Sequence, residues 1–317
     1  MENVFSSAKR IVAKSGTNSV NLDGKLDGKR IRQRAADIAD LMGKGKQIVY
    51  VSSGAILAAM SRYGIDRTTY RSNFGSDESY YQSLQRLSGE GQPMLMEAYN
   101  SVFPEFGIRT AQVLVTKDDI RYYERFYRNL IGLLRRYTEQ KGPGAEKAEA
   151  LAEMIQFAQD EMKLNGYDRE FIETIEGYLD DGVLPIINEN DALSRDEITF
   201  GDNDKLSAYV CNAVRGDALI MLSDNELHDR NPSIRGARKI DVVRFDEISE
   251  YKAVANGKGT WGLGGMLSKL EAAEMVGMNG TPSAIVKSNG RYEAMPISDT
   301  ISGRYHGTII LPRGYGK

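Results

Sequence analysis

The chain has 317 residues, enough for one large α/β domain or two modest ones with a sizeable core. Its 41 basic and 44 acidic residues give a net charge of −3, with no excess suited to nucleic acid or a membrane surface. Two histidines and one cysteine leave neither a Cys/His metal cluster nor an internal disulfide, which suits a reducing cytoplasm.

In chain order, the opening MENVFSSAKR carries no secretory apolar core, and no later run nears the roughly 18 apolar residues of a bilayer span. Short apolar runs then alternate with helical patterns, which predicts an α/β fold. The expected form is a three-layer αβα sandwich with a mostly parallel central sheet. Strands are expected at 10–13, 47–51, 110–115, 183–187, 218–222 and 283–286, and helices at 28–44, 91–102, 203–214 and 265–276. Four of these strands end in small or polar residues: Lys14-Ser15-Gly16-Thr17, Ser52-Ser53-Gly54-Ala55, Asn188-Glu189-Asn190-Asp191 and Ser223-Asp224. Ligands of open α/β sheets bind beyond the carboxyl ends of the strands, so these segments are expected to converge on one site.

Two stretches read as additions to a single domain spanning 1–317. Residues 61–83 are polar and tyrosine-rich, and are expected to form a flap-like or solvated loop. Residues 121–167 read as a helical hairpin around Gly142-Pro143-Gly144, with Leu151, Ile155, Ala158 and Met162 on one helix face. Cys211, within the apolar run LSAYVCNAV, reads as a buried structural thiol.

The segment 183–208, VLPIINENDALSRDEITFGDNDKLSA, gathers acids and amides beside a strand end and a helix start. Such a cluster can bond an amino acid's ammonium and carboxylate groups and can orient lysines. Either half alone would be ordinary cap and turn chemistry. Lys14, followed by Gly16, can reach phosphate oxygens from a strand end. Gly264-Gly265 opens a helix with Lys269 one turn in, although a GGxxxK loop is by itself a weak phosphate signal.

IINEND, then FGDND with Leu206-Ser207-Ala208, closely resembles the glutamate 5-kinases of the amino-acid kinase family. Further matches stand in register: Val51-Ser52-Ser53-Gly54-Ala55-Ile56 is similar to the substrate loop, and Gly264-Gly265-Met266 with Lys269 and Leu270 to the glycine-rich nucleotide loop. Gly91-Gln92-Pro93 and Ala111-Gln112-Val113-Leu114-Val115-Thr116 look like the intervening helix and strand. The resemblance implies ATP-dependent phosphorylation of a small carboxylic acid, with Mg²⁺ accompanying ATP and no dedicated metal ligand identified. It assigns catalysis to Lys14, Asp204 and Lys269. It assigns the acceptor to Ser53, Gly54, Ala55, Asp191 and Asn203, with Ser53 and Asn203 bonding a carboxylate and Asp191 an ammonium. Lys14, Gly16, Ser223, Asp224, Gly264, Gly265, Met266 and Lys269 fall to the nucleotide. A homo-oligomer is implied, with no nucleic-acid or membrane partner.

The segment 225–232 departs from the family's glycine-containing turn, with His228 where an aromatic residue would fall. Little sequence follows Thr308, so no C-terminal RNA-modification-type domain is expected. Three readings stay open: a glutamate 5-kinase, a diverged kinase for another acid, and a sensor that keeps the pocket without turnover.

Overall fold

The apolar runs form a central eight-stranded sheet. The computed structural model describes residues 3–116, 166–193, 203–230, 234–255, 265–288 and 295–316, with the isolated positions 149 and 153. The expected hairpin at 121–167, apart from positions 149, 153, 166 and 167, lies outside the described residues, as do Gly201, Asp202 and Gly264.

The strands are β1 (Arg10–Ser15), β4 (Gln47–Val51), β5 (Arg109–Val115), β6 (Val183–Glu189), β7 (Ala218–Ser223), β8 (Val242–Val243), β9 (Ser283–Lys287) and β10 (Gly307–Ile310). Their order across the sheet is β5-β6-β4-β1-β7-β9-β10-β8. Pairing is parallel from β5 through β9 and becomes antiparallel between β9 and β10. A separate hairpin joins β2 (Asn21–Leu22) and β3 (Lys25–Leu26).

The strands read as continuous apolar runs because both faces of the sheet are covered. Alternate residues take opposite faces. Ile11, Ala13, Ile48, Tyr50, Leu184 and Ile186 pack into one core with α1 (Gly28–Gly43), α4 (Asp77–Asn100) and α9 (Pro296–Ile301). Val12, Val49, Val51, Ile187, Leu219 and Met221 pack into the other. That second layer holds α5 (Gly166–Asp180), α6 (Asn203–Ala213), α7 (Ile248–Ala255) and α8 (Gly265–Met278). Three layers result, and buried Cys211 sits within the second core as a packing residue. Burial pushes its thiol pKa up, away from nucleophilic use.

Two expectations change. Residues 61–83 are largely helical: α2 (Ala55–Tyr63) ends there, α3 (Arg67–Tyr70) follows, and α4 starts at Asp77. The helix expected at 91–102 therefore begins far earlier. Ser76 caps it by accepting from Ser79 N–H at 3.2 Å, and Asp77 and Glu78 fill its first turn. Leu57, Met60, Leu84 and Leu87 form a third, smaller core between α2 and α4. At their closest approach Gly91 is indispensable: a Cβ there would lie 1.8 Å from the Ala55 carbonyl oxygen.

Candidate active site

The carboxyl ends of β6, β4, β1 and β7 stand side by side in the sheet, and the polar residues that follow them line two adjoining cavities. The first, about 330 Å³, is bounded by Lys14, Ser53, Gly54, Ala55, Asp191 and Asn203, with Asn188, Glu189 and Tyr80 adding to its wall. The second, about 360 Å³, is bounded by Gly16, Ser223, Asp224, Gly265, Met266 and Lys269.

Asp204 stands between them in the first turn of α6, buried with both lysines. Its Oδ1 lies 2.8 Å from Lys14 Nζ, and its Oδ2 accepts from Lys269 Nζ at 3.0 Å and from Ser268 Oγ at 2.7 Å. Lys269 also donates to the Gly265 carbonyl at 3.0 Å, which fixes its side chain back along the first turn of α8. Burial works against the charged carboxylate, yet Lys14 and Lys269 overcome it and hold Asp204 down to about 2. Burial likewise lowers the pKa of Lys14, against the pull of Asp204. The cluster thus carries a net charge of +1: two ammonium groups held apart by one carboxylate.

In the first cavity, Asn203 Nδ2 donates to Ser53 Oγ at 2.6 Å, to the Ser52 carbonyl at 3.0 Å and to Asn188 Oδ1 at 3.0 Å. Asn203 therefore ties the β4 loop to β6, and among the described residues its Oδ1 has no donor. Asn188 in turn donates to Gln92 Oε1 at 2.7 Å, which fastens α4 to the same strand end. Ser88 donates to Asp191 Oδ2 at 3.4 Å. Gly54 has φ of 118°, a left-handed value that favours glycine, and it precedes α2 without a side-chain cap. The first backbone N–H groups of α2 are thus open at the cavity wall that Ala55 and Ile56 form.

In the second cavity, Asn18 donates to Asp224 Oδ2 at 2.5 Å, and Ser223 Oγ accepts from Asn225 N–H at 3.3 Å. The segment expected to differ here folds back: Leu227 enters the second core, and His228 forms an isolated antiparallel bridge with Lys239. Residues 231 and 232 lie outside the described residues.

All the expected site residues that are described fall on these two cavities and the cluster between them. Thr17 and Glu189 lie in the strand-end segments expected to converge here but were given no role of their own, and sequence reasoning missed Arg67, Tyr80 and Ser268 as wall or cluster residues. Ser268 and Glu189 each adjoin a residue of a motif already noticed, which is the signal that could have found them. Arg67 and Tyr80 had none, because the path of α3 sets their place.

The Amino acid kinase family profile matches residues 9–288, and the chain belongs to that family. Among its relatives, the glutamate 5-kinase of Geobacter sulfurreducens is 34% identical over 313 residues, covering 98% of this chain and 69% of that protein. The glutamate 5-kinase of Cupriavidus taiwanensis is 36% identical over 314 residues, covering 98% and 70%. The fold is shared with the carbamate kinase of Giardia lamblia bound to AMP-PNP, at a TM-score of 0.56 and 17% identity over 97% of this chain and 99% of that one. UMP kinase from Bacillus anthracis aligns with a TM-score of 0.54 and 11% identity, covering 97% of each chain.

Proposed function

We propose that the chain transfers the γ-phosphoryl group of ATP to the side-chain carboxylate of L-glutamate, giving γ-glutamyl phosphate and ADP, the first step of proline biosynthesis. The observation that carries this reading is the Lys14–Asp204–Lys269 cluster standing between two cavities, one lined by Lys14 and the other by Lys269.

A glutamate side chain is ionised at neutral pH, so its oxygen attacks the γ-phosphorus without giving up a proton. One P–O bond forms, the bond to the bridging oxygen of ADP breaks, and ADP departs with the electron pair. The protein's task is then to align two anions and neutralise charge as they meet. Lys14 reaches the transferring group from the acceptor side and Lys269 from the nucleotide side. Asp204 keeps the two ammonium groups pointed at the gap between the cavities.

In the acceptor cavity, Asp191 and the open Asn203 Oδ1 suit the substrate's ammonium group, a change from the carboxylate contact expected of Asn203, whose Nδ2 is already engaged by Ser52, Ser53 and Asn188. The N–H groups at the start of α2, beside Ser53, Gly54 and Ala55, suit a carboxylate. In the nucleotide cavity, Gly16, Gly265, Met266, Ser223 and Asp224 receive the phosphates and sugar, and Gly264 joins them in this reading.

Among the described residues no three His, Cys, Asp or Glu side chains cluster as a metal cage, and Asp204 has both oxygens engaged by cations. That donor set fits Mg²⁺ held chiefly by triphosphate oxygens and water, where it would offset phosphate charge. A cytoplasmic setting and a homo-oligomer belong to the same reading. No described helix is long and apolar enough to cross a membrane. An ADP-release assay with L-glutamate tests the proposal: glutamate-dependent ADP formation supports it, and its absence overturns it.

A further inference from the structure

Arg67 and Thr17 are the only described residues that line both cavities. Arg67 opens α3, and among the described residues its guanidinium has no ion-pair or hydrogen-bond partner. The nearest acid in sequence, Asp66, is turned to the helix start, where it accepts from Thr68 N–H at 2.8 Å and Thr68 Oγ1 at 2.7 Å.

The short helix is held in place from its other end. The Tyr70 ring packs on Phe74 at 5.0 Å and on Tyr80 at 6.1 Å between centroids. Arg71 lies over the Tyr80 ring at 5.1 Å and pairs with Asp77 at the start of α4. Tyr80 itself lines the acceptor cavity, so α3 and that wall are one packed unit.

Charge makes the position consequential. The Lys14–Asp204–Lys269 cluster supplies a net +1, while Glu189 and Asp191 line the acceptor cavity and Asp224 the nucleotide cavity. Two incoming anions meeting at that boundary need more positive charge than the cluster gives. Arg67 is the one described cation that borders both chambers, and a planar guanidinium can bond two oxygens of a phosphoryl group at once.

We infer that Arg67 is a further catalytic residue that contacts the transferring phosphoryl group where the two cavities join. The inference rests on the phosphoryl-transfer reading above. Because the contact strengthens as charge develops between the two substrates, its loss falls on kcat rather than on either KM.

The test compares the wild-type chain with Arg67→Ala and Arg67→Lys, using ATP, Mg²⁺ and L-glutamate with hydroxylamine trapping of the acyl phosphate. Calorimetric titrations with glutamate and with a non-hydrolysable ATP analogue accompany the kinetics. Arg67→Ala is expected to lower kcat by about 100-fold while both KM values and both affinities move less than about threefold. Arg67→Lys is expected to recover about a tenth of wild-type kcat, since the charge returns without the fork. Unchanged melting temperatures are expected for both, because the side chain is exposed. An active wild type with an Arg67→Ala kcat within about threefold overturns the inference alone. A loss confined to one substrate's KM overturns it too, making Arg67 a binding residue of a single cavity. A wild type that forms no acyl phosphate overturns the phosphoryl-transfer reading and this inference together.

Discussion

Lys14 at the end of β1 and Asp204 at the start of α6, 190 positions apart in the sequence, meet in a buried ion pair at 2.8 Å. The pair joins the first strand to the helix that follows IINEND. It leaves the second carboxylate oxygen for Lys269 and Ser268.

Replacing Asp204 with Ala leaves two buried ammonium groups facing each other without their shared counter-ion. A loss of about 3–5 kcal/mol of stability is expected, because an uncompensated buried charge remains. Asp204→Asn keeps a partner for Ser268 and loses less. Urea unfolding midpoints of the two variants check that order, and activity is expected to fall about 100-fold or more in both.

Lys269→Ala removes a charge that borders the nucleotide cavity while the acceptor cavity keeps its lining. Turnover is expected to drop by about 100- to 1000-fold, with glutamate affinity nearly unchanged. Single-turnover rates and calorimetric glutamate titration separate the two effects. Near-wild-type turnover would remove Lys269 from the proposed chemistry.

Two buried carboxyl groups predict opposite pH behaviour. Asp204 is depressed to about 2 from 3.8, so its contribution to stability is present above about pH 4 and is lost as pH falls toward 2. Asp37 is raised to about 6, chiefly by burial and against the pull of Arg34. Its oxygens accept from Ile297 N–H at 3.0 Å and Ser298 N–H at 2.8 Å, tying α1 to α9. The stability Asp37 contributes is therefore present below about pH 4 and lost as pH rises through 6. The stability difference between wild type and Asp37→Asn is expected to shift against the wild type from pH 4 to 6 and then level off. Denaturant titrations at half-unit pH steps measure it.

Gly91→Ala drives a methyl group onto the Ala55 backbone, where a side chain cannot rotate away. Destabilisation of about 1–3 kcal/mol or more is expected, together with a raised KM for the acceptor, since α2 begins at the cavity wall. Thermal unfolding and acceptor titration check both parts.

The sheet was legible because strands buried on both faces are written as unbroken apolar runs, as in VLPII and ALIML. The cluster was legible only through the resemblance of several motifs in register, since the local signal at Lys14, Asp204 or Lys269 is weak when each is taken alone. The early start of α4 was missed although Ser76, Asp77 and Glu78 form a helix-start signature, because the tyrosines after them read as loop-like rather than as a packed face. The edge strand β8 and its neighbour β10 are too short to show alternation. The place of Arg67 depends on ring packing among Tyr70, Phe74 and Tyr80, which only the folded chain brings together.

The central claim is that this chain makes an acyl phosphate from ATP and glutamate. The most direct measurement is product formation with ATP, Mg²⁺ and hydroxylamine across L-glutamate, L-aspartate and N-acetyl-L-glutamate, with the hydroxamate identified by mass and ADP counted in parallel. The account predicts γ-glutamyl hydroxamate from L-glutamate, equimolar with ADP and well ahead of either other acid. Preferred turnover of another acid, or no hydroxamate from any of them, would contradict it.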